Sequence, residues 1–388
     1  MTDKISARLA RQVGIANLVE LLSSRLSGSD LHSLNLKILK NRLARANWSP
    51  ADLLRTVPVT SACCLDARIL NEIEGLAYSL APSFDALEPS PLLPIGAVHH
   101  LTNLDQGNVL STIRTYECSS DPTVALALEA AKRRKAKSSR PHTTRLITNQ
   151  RVVRFPVPET PGYTAHFKLL AIVTAHRNEG SINREVEALH EQLAFYLDFI
   201  HGLKERGFEF SKLVLHFSDT RVLRRLTASA GISESVIKAR VRVRDPQGAK
   251  ALLKEFGADW PEVIKNPEDL ESWFRQTPDK PPEHLFIQMR MLEDNVLAKL
   301  RKNHADLETG FNMHRLTGMH YYDGPCFHLK ALAPDGTSLI MLGDGGYVDW
   351  TKKLLSDSRE RLLTSALGTE LALRLFSPDL SQSKKAGK

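Results

Sequence analysis

The chain has 388 residues, 42% apolar and 25% charged, the balance of an ordinary globular protein with room for two or three domains. Charge interrupts its apolar runs well short of the roughly 20 residues that a membrane-crossing helix needs, and the opening MTDKISARLARQVG lacks the apolar stretch of a secretion signal. Lys and Arg number 52 against 44 Asp and Glu, a formal charge of +8 that suits nucleic acid or an anionic nucleotide without requiring either.

Residues 1–65 read as an N-terminal helical module. Leu9, Val13, Leu18, Leu21 and Leu22 recur at helical spacing, and Gly14 breaks the run. Asp30 is placed to cap the next helix, and Ser49-Pro50 to open another. The simpler role for such a prefix is packing on the body or on a second subunit; a helix-turn-helix nucleic-acid reader is the alternative. The cysteines Cys63, Cys64, Cys118 and Cys326 form no CxxC pair and no zinc-like spacing with His, which fits reduced thiols in a cytoplasm.

From residue 66 the pattern changes. LDARILNEIEGLAYSLAPSF predicts a helix, and FDALEPSPLLP an extended stretch broken by Pro89, Pro91 and Pro94. NVLSTIR at 108–114 predicts a strand, and Asp121-Pro122-Thr123 the start of the helix VALALEAAKRRK. The basic run 132–140 reads as a solvated loop or, alternatively, a nucleic-acid tract. Residues 145–155 and 165–174 predict a hairpin around PVPETPGYT. A helix from Arg184 to about Glu205, a strand at 212–219, another helix, a mixed stretch and a helix at 283–303 follow. Three strand-like pieces come next, beginning HYYDGPCFHLKAL, TSLIMLGDGG and SALGTELALRLF, the last passing into a helix, and a polar tail at 377–388 reads as disordered. Strands without regular βαβ alternation predict an α+β fold, a largely antiparallel sheet flanked by helices. The phosphate loops GxGxxG and GxxxxGK[ST] and the nucleophile elbow GxSxG do not occur.

Several of these segments, in order, resemble the class II aminoacyl-tRNA synthetase core, and within it histidyl-tRNA synthetases and their paralogue, the regulatory subunit of ATP phosphoribosyltransferase. The helix plus FDALEPSPLLP resembles motif 1, which implies a homodimer. NVLSTIRTYECSSDPTVALAL resembles the family's strand–turn–helix. RLITNQRVVRFPVPETPGYTAHFKLLAIV resembles motif 2, with Arg154 at the ATP-contacting arginine. TGMHYYDGPCFHL resembles the RGLDYY segment, LGDGGYVDW the GGRYD turn, and SALGTELAL motif 3. The resemblance covers about residues 66–376, with an insertion at about 205–305, and implies ATP and Mg²⁺ as cofactors. The pattern also departs from the family. Leu371 stands where motif 3 carries its arginine, Thr317 replaces the arginine before Gly318, His320 the aspartate before the tyrosines, and Tyr347 the GGRYD arginine. No anticodon-binding domain fits after residue 376.

Joining a carboxylate to the α-phosphate of ATP needs in-line positioning and cations against the phosphorus. Arginine serves because its planar fork meets phosphate bidentately and stays charged. The resemblance gives Arg154 and Arg114 the catalytic role. It gives Arg154, Glu159, Glu370 and Arg374 the ATP and metal contacts, with Glu370 facing Mg²⁺ and Arg374 standing in for the lost arginine. Glu117 and Asp121 would receive a substrate amine; His320, Tyr321, Tyr322 and Asp344 would line its pocket. On a strand only one of the two tyrosines would point inward, and Gly345-Gly346 reads as a turn next to the ligand. Arg154, Glu159, Arg114 and Glu370 are expected in one cleft.

The implied function is tRNA-independent, ATP-dependent adenylation of an amino acid or related carboxylic acid, passed to a small nucleophile or carrier. The alternative is a non-catalytic ligand-binding or regulatory paralogue that works with an enzyme partner. A nucleic-acid-binding role rests on charge and the helical prefix alone.

Overall fold

Apolar residues at helical spacing make α1 (Thr2–Val13), α2 (Leu18–Glu20), which passes into a π turn, and α3 (Gly28–Arg45). The α3 cap is Ser27: its Oγ accepts from the Asp30 N–H and donates to the Asp30 carboxylate. Asp30 is thus the reciprocal partner of the cap, not the cap itself, because the hydroxyl has the shorter reach to the first turn. The computed structural model describes residues 2–46, 51, 60–136, 142–157, 163–241, 246–258, 260–277 and 282–377. The predicted helix start at Ser49-Pro50, the tail beyond Ser377 and Glu159 lie outside them.

After α4 (Ala67–Ser79) the chain runs extended through β1 (Asp85–Ala86) and β2 (Leu92–Pro94), turns through α5 (Ala97–Thr102) and returns as β3 (Tyr116–Cys118) into α6 (Pro122–Ala136). The predicted hairpin forms as β4 (Thr144–Val153) and β5 (His166–Arg177), followed by α7 (Asn183–Lys204) and β6 (Leu213–Asp219). Next come α8 (Thr220–Ser229), α9 (Glu234–Arg240), α10 (Pro246–Glu255), β7 (Val263–Ile264), α11 (Pro267–Gln276), α12 (Glu283–Leu292) and α13 (Ala298–Asn303). The chain re-enters the sheet as β8 (Leu307–Asn312), β9 (Pro325–Leu332) and β10 (Leu339–Val348), then ends in α14 (Trp350–Leu355), β11 (Glu360–Leu367) and α15 (Thr369–Phe376).

Nine strands form one sheet in the order β1-β4-β5-β11-β10-β9-β6-β8-β7, while β2 and β3 pair separately. Pairing is antiparallel except for β1 with β4 and β6 with β8, so the expected α+β sheet flanked by helices is present, with a parallel step near each edge. Side chains alternate between its two faces. Ile147, Leu170, Ile172 and Leu363 turn toward α7, where Tyr196 and Phe199 complete a core. Leu146, Ala171, Val173 and Leu362 turn the other way, toward Val124, Ala127 and Ala130 of α6.

Some predicted elements differ. Residues 108–114 contribute only a bridge between Ser111 and Glu117, and the strand begins later, at Tyr116. The basic run is helical through Ala136, and Arg134 is buried, donating to both oxygens of Glu360 at 2.5 and 2.8 Å. Arg134 is a clamp between α6 and β11, while Lys132 and Lys135 are exposed on the helix and residues 137–140 lie outside the described residues. Gly345 and Gly346 lie inside β10, not in a turn; a Cβ on Gly346 would fall 2.5 Å from the Cys326 Cβ and 2.8 Å from the Tyr322 ring. Close approach of neighbours requires glycine there.

Candidate functional site

The face of the sheet that packs on α6 is open at its β10 end, and polar side chains from four segments meet there. Asp121 stands before α6, where its Oδ1 accepts from the Thr123 N–H at 3.0 Å and the Thr123 hydroxyl at 2.7 Å. This is ordinary helix-start chemistry, but its second oxygen accepts from the Tyr321 hydroxyl at 3.2 Å. Asp344 projects from β10 and accepts from the Tyr322 hydroxyl at 3.1 Å. Tyr321 and Tyr322 pack edge to face with centroids 4.8 Å apart. Both tyrosines therefore serve the same cluster, contrary to the strand-based expectation, because the chain here is a turn that enters β9 only at Pro325.

That turn also delivers a residue the sequence reading passed over. Arg315 is 4% exposed. Its guanidinium lies 5.1 Å over the Tyr322 ring and its Nη2 is 3.9 Å from Asp344. Its Nη1 is buried with no hydrogen-bond partner among the described residues. Gly318 makes the arrangement feasible: its φ is +79°, and a Cβ would meet the Tyr322 ring at 3.2 Å and Arg315 Nη2 at 3.6 Å. Arg315 thus brings a guanidinium to Asp344 from two residues before Thr317. The legible signal was a buried-side basic residue three positions before a glycine.

Enclosure by the cleft walls pushes the Asp344 carboxyl up from its ordinary value, with the Arg315 charge and the Tyr322 hydroxyl pulling it back. Half of the Asp344 side chain still meets solvent, so it stays accessible to a ligand. Burial likewise raises both tyrosine hydroxyls well above their usual range, which keeps them protonated donors. The charges of Asp121 and Arg154 reach Asp344 as well. Arg154, just past β4, donates through Nε to the Ser120 carbonyl at 2.6 Å, with its guanidinium 5.4 Å from the Phe167 centroid.

Other expected residues go elsewhere. Glu117 is fully buried and accepts from the Gly96 and Val98 N–H groups at 2.7 and 2.9 Å and from Gln106 at 2.8 Å. Its oxygens hold the loop before α5 together. Arg114 is exposed in the turn before β3, its N–H donating to Thr112 Oγ1. His320 faces α9, with Nδ1 3.7 Å from Glu234.

Glu370 corrects the single-cleft expectation. It is fully buried at the start of α15 and pairs with Arg151 and, at 3.4 Å, with Arg374, while the Cys63 thiol donates to its Oε2. Arg374 also donates to the Cys64 sulfur at 2.8 Å. Arg151 shares its face of β4 with Asn149, which accepts from Thr369 of α15. Arg154 instead joins Phe167 and Ser120 on the α6 side. Strand alternation puts Glu370 and Arg154 on opposite faces of the sheet, so Glu370 is a structural ion pair here and Arg374 cannot reach the cleft. Among the described residues, no group of three or more His, Cys, Asp or Glu side chains could hold a metal ion.

No family model and no curated protein sequence matches the chain. Solved structures do. An ATP phosphoribosyltransferase regulatory subunit/histidyl-tRNA synthetase from Bacillus halodurans C superposes with a TM-score of 0.62 at 14% identity, over 86% of this chain and 90% of that one. Histidyl-tRNA synthetase from Nostoc sp. PCC 7120 gives 0.58 at 15%, over 86% and 75%, and that from S. aureus gives 0.54 at 15%, over 83% and 74%. The chain has a fold like the class II synthetase core.

Proposed function

We propose that this protein is a non-catalytic ligand-binding, regulatory paralogue of the histidyl-tRNA synthetase fold, and that its cleft takes a small zwitterion of the amino-acid kind. One observation carries the reading: Asp121, Asp344 and Arg315 present two carboxylates and a buried, unpaired guanidinium N–H around two tyrosines. The carboxylates suit a ligand amine, and Arg315 Nη1 suits its carboxylate, since burial strengthens a charge-assisted bond and penalises an unpaired one. Among the described residues, Glu370 and Arg374 pair with each other behind the sheet rather than facing the cleft.

The adenylating reading keeps one observation of its own. Arg154 fixes its Nε on Ser120 and holds its guanidinium beside Phe167 at the cleft mouth, a placement suited to a phosphate. Calorimetry with a panel of amino acids, with and without Mg·ATP, paired with pyrophosphate exchange, decides between them. Amino-acid binding without exchange supports the regulatory reading; exchange overturns it.

The assembly we propose is a homodimer, with an enzyme as the regulated partner. Leu92, Ile95, Leu110, Ile113 and Tyr116 stand exposed around β2 and β3, apolar side chains that a subunit contact would cover.

A further inference from the structure

The face that carries Asp344 continues across two more strands. In register, Asp344 of β10 lies opposite His328 of β9, and His328 lies opposite His216 of β6. The three side chains therefore form one row on one face, a row about 10 Å long at two interstrand steps. Lys330 follows His328 by two residues on the same strand, so it shares the face. Nothing among the described residues completes this row. Both ring nitrogens of His216 are buried without a hydrogen-bond partner among the described residues, and Arg315 Nη1 is in the same condition.

The neighbouring cations are neutralised where they stand. Lys212 and Lys265 share Glu308 at 2.6 and 2.9 Å, and Lys250 meets Glu262 at 2.9 Å. Lys330 forms no ion pair among the described residues, and it lies close enough to His328 for its charge to act there, as does Arg315. Among the described residues the two imidazoles and the ammonium form no ion pair, and the Arg315 guanidinium meets Asp344 only at 3.9 Å, so the row can take an anion. Burial depresses His216 to about 4, moves His328 well below its usual value and lowers Lys330, while the Glu262 charge pulls His216 and Lys330 back.

We propose that His216, His328 and Lys330 form an anion subsite continuous with the Asp344–Arg315 cleft, so that the ligand is an amino-acid-like zwitterion bearing a second carboxylate or a phosphate. The inference rests on the zwitterion reading of the cleft and adds the class of its side chain. Amine and carboxylate engage Asp121, Asp344 and Arg315, and the side-chain anion lies over the histidine row.

Titration calorimetry on the full chain with L-glutamate, O-phospho-L-serine and L-glutamine tests it. Glutamate or phosphoserine should bind at least about tenfold more tightly than glutamine, the worth of one charge-assisted bond; whichever is tighter tells carboxylate from phosphate. Lys330→Met and His328→Gln should each erase that preference while leaving glutamine binding unchanged, and Lys330→Arg should restore it. Thermal melts establish that the variants fold. Equal affinity for glutamine and both anions overturns the subsite alone. If none of the three binds, the zwitterion reading falls and the subsite with it.

Discussion

The Tyr322 hydroxyl donates to Asp344 at 3.1 Å while the face of the same ring carries the Arg315 guanidinium, so one aromatic side chain fixes an anion and a cation of the cleft together. Removing Arg315 should therefore be felt in binding before stability. Arg315→Met is expected to weaken binding of the cleft's amino-acid ligand by about 1.5–3 kcal/mol, the usual worth of a hydrogen bond to a charged group. Calorimetry on the variant checks this; an unchanged affinity would remove Arg315 from the site.

Gly346 controls the same tyrosine from behind. Gly346→Ala would put a methyl group 2.8 Å from the Tyr322 ring and 2.5 Å from the Cys326 Cβ. Overpacking of this kind costs about 1–3 kcal/mol. Denaturant unfolding should show that loss, and ligand binding should weaken in parallel because the ring shifts off Asp344.

Glu370 should behave in the opposite way. Replacing it with Gln leaves Arg151 and Arg374 facing each other across a fully buried position. Stability should fall by about 3 kcal/mol, while ligand affinity in the folded fraction stays the same. A loss of binding without a loss of stability would return Glu370 to the ligand site.

The histidine row makes stability pH-dependent. His216 holds its pKa near 4 in the fold against an ordinary 6.5, the main cause being burial, with Lys330 adding to it. A depressed value favours the neutral form, so this contribution is full above about pH 6.5 and is lost as pH falls toward 4. Its size is at most about 3 kcal/mol. Urea midpoints between pH 7 and 4.5 should fall for the wild type and fall less for His216→Asn.

Self-association offers the last test. Leu92 is exposed beside Tyr116, whose strand pairs with its own. If this surface is buried in a homodimer, light scattering should give twice the chain mass at micromolar concentration, and Leu92→Asp should give a monomer with an unchanged melting temperature for the isolated fold.

Much of the architecture was legible because its signals are local. The β4–β5 hairpin, α7, β6 and the strand-to-helix passage from β11 to α15 follow from alternation, helical spacing and turn formers. Asp121, Asp344 and both tyrosines were singled out by resemblance, and the structure brings them together. What failed depends on which face of a strand a residue occupies. Arg151 and Arg154 are three residues apart in one sequence segment, yet the sheet separates them, and only the pairing of Arg151 with Glu370 and of Arg154 with Phe167 reveals it. Arg315 was missed for a related reason: the turn at Gly318 carries it into a place that linear alignment gave to Thr317. Glu117 looked available because carboxylates usually are, whereas Gly96, Val98 and Gln106, ahead of its strand, had claimed it.

The order of strands has a kinetic side. β4 and β5 are neighbours in sequence and can zip from their turn, but β6 must wait for β8, with everything from α8 to α13 in between, before their parallel pairing forms. Loop closure of that length is slow to reward. The β6–β8 pairing is therefore expected to form after the β4–β5 hairpin. The histidine row ends on β6, so an anion seated on it would tie that strand to β9 and β10, and amide exchange in β6 and β8 would slow when it binds.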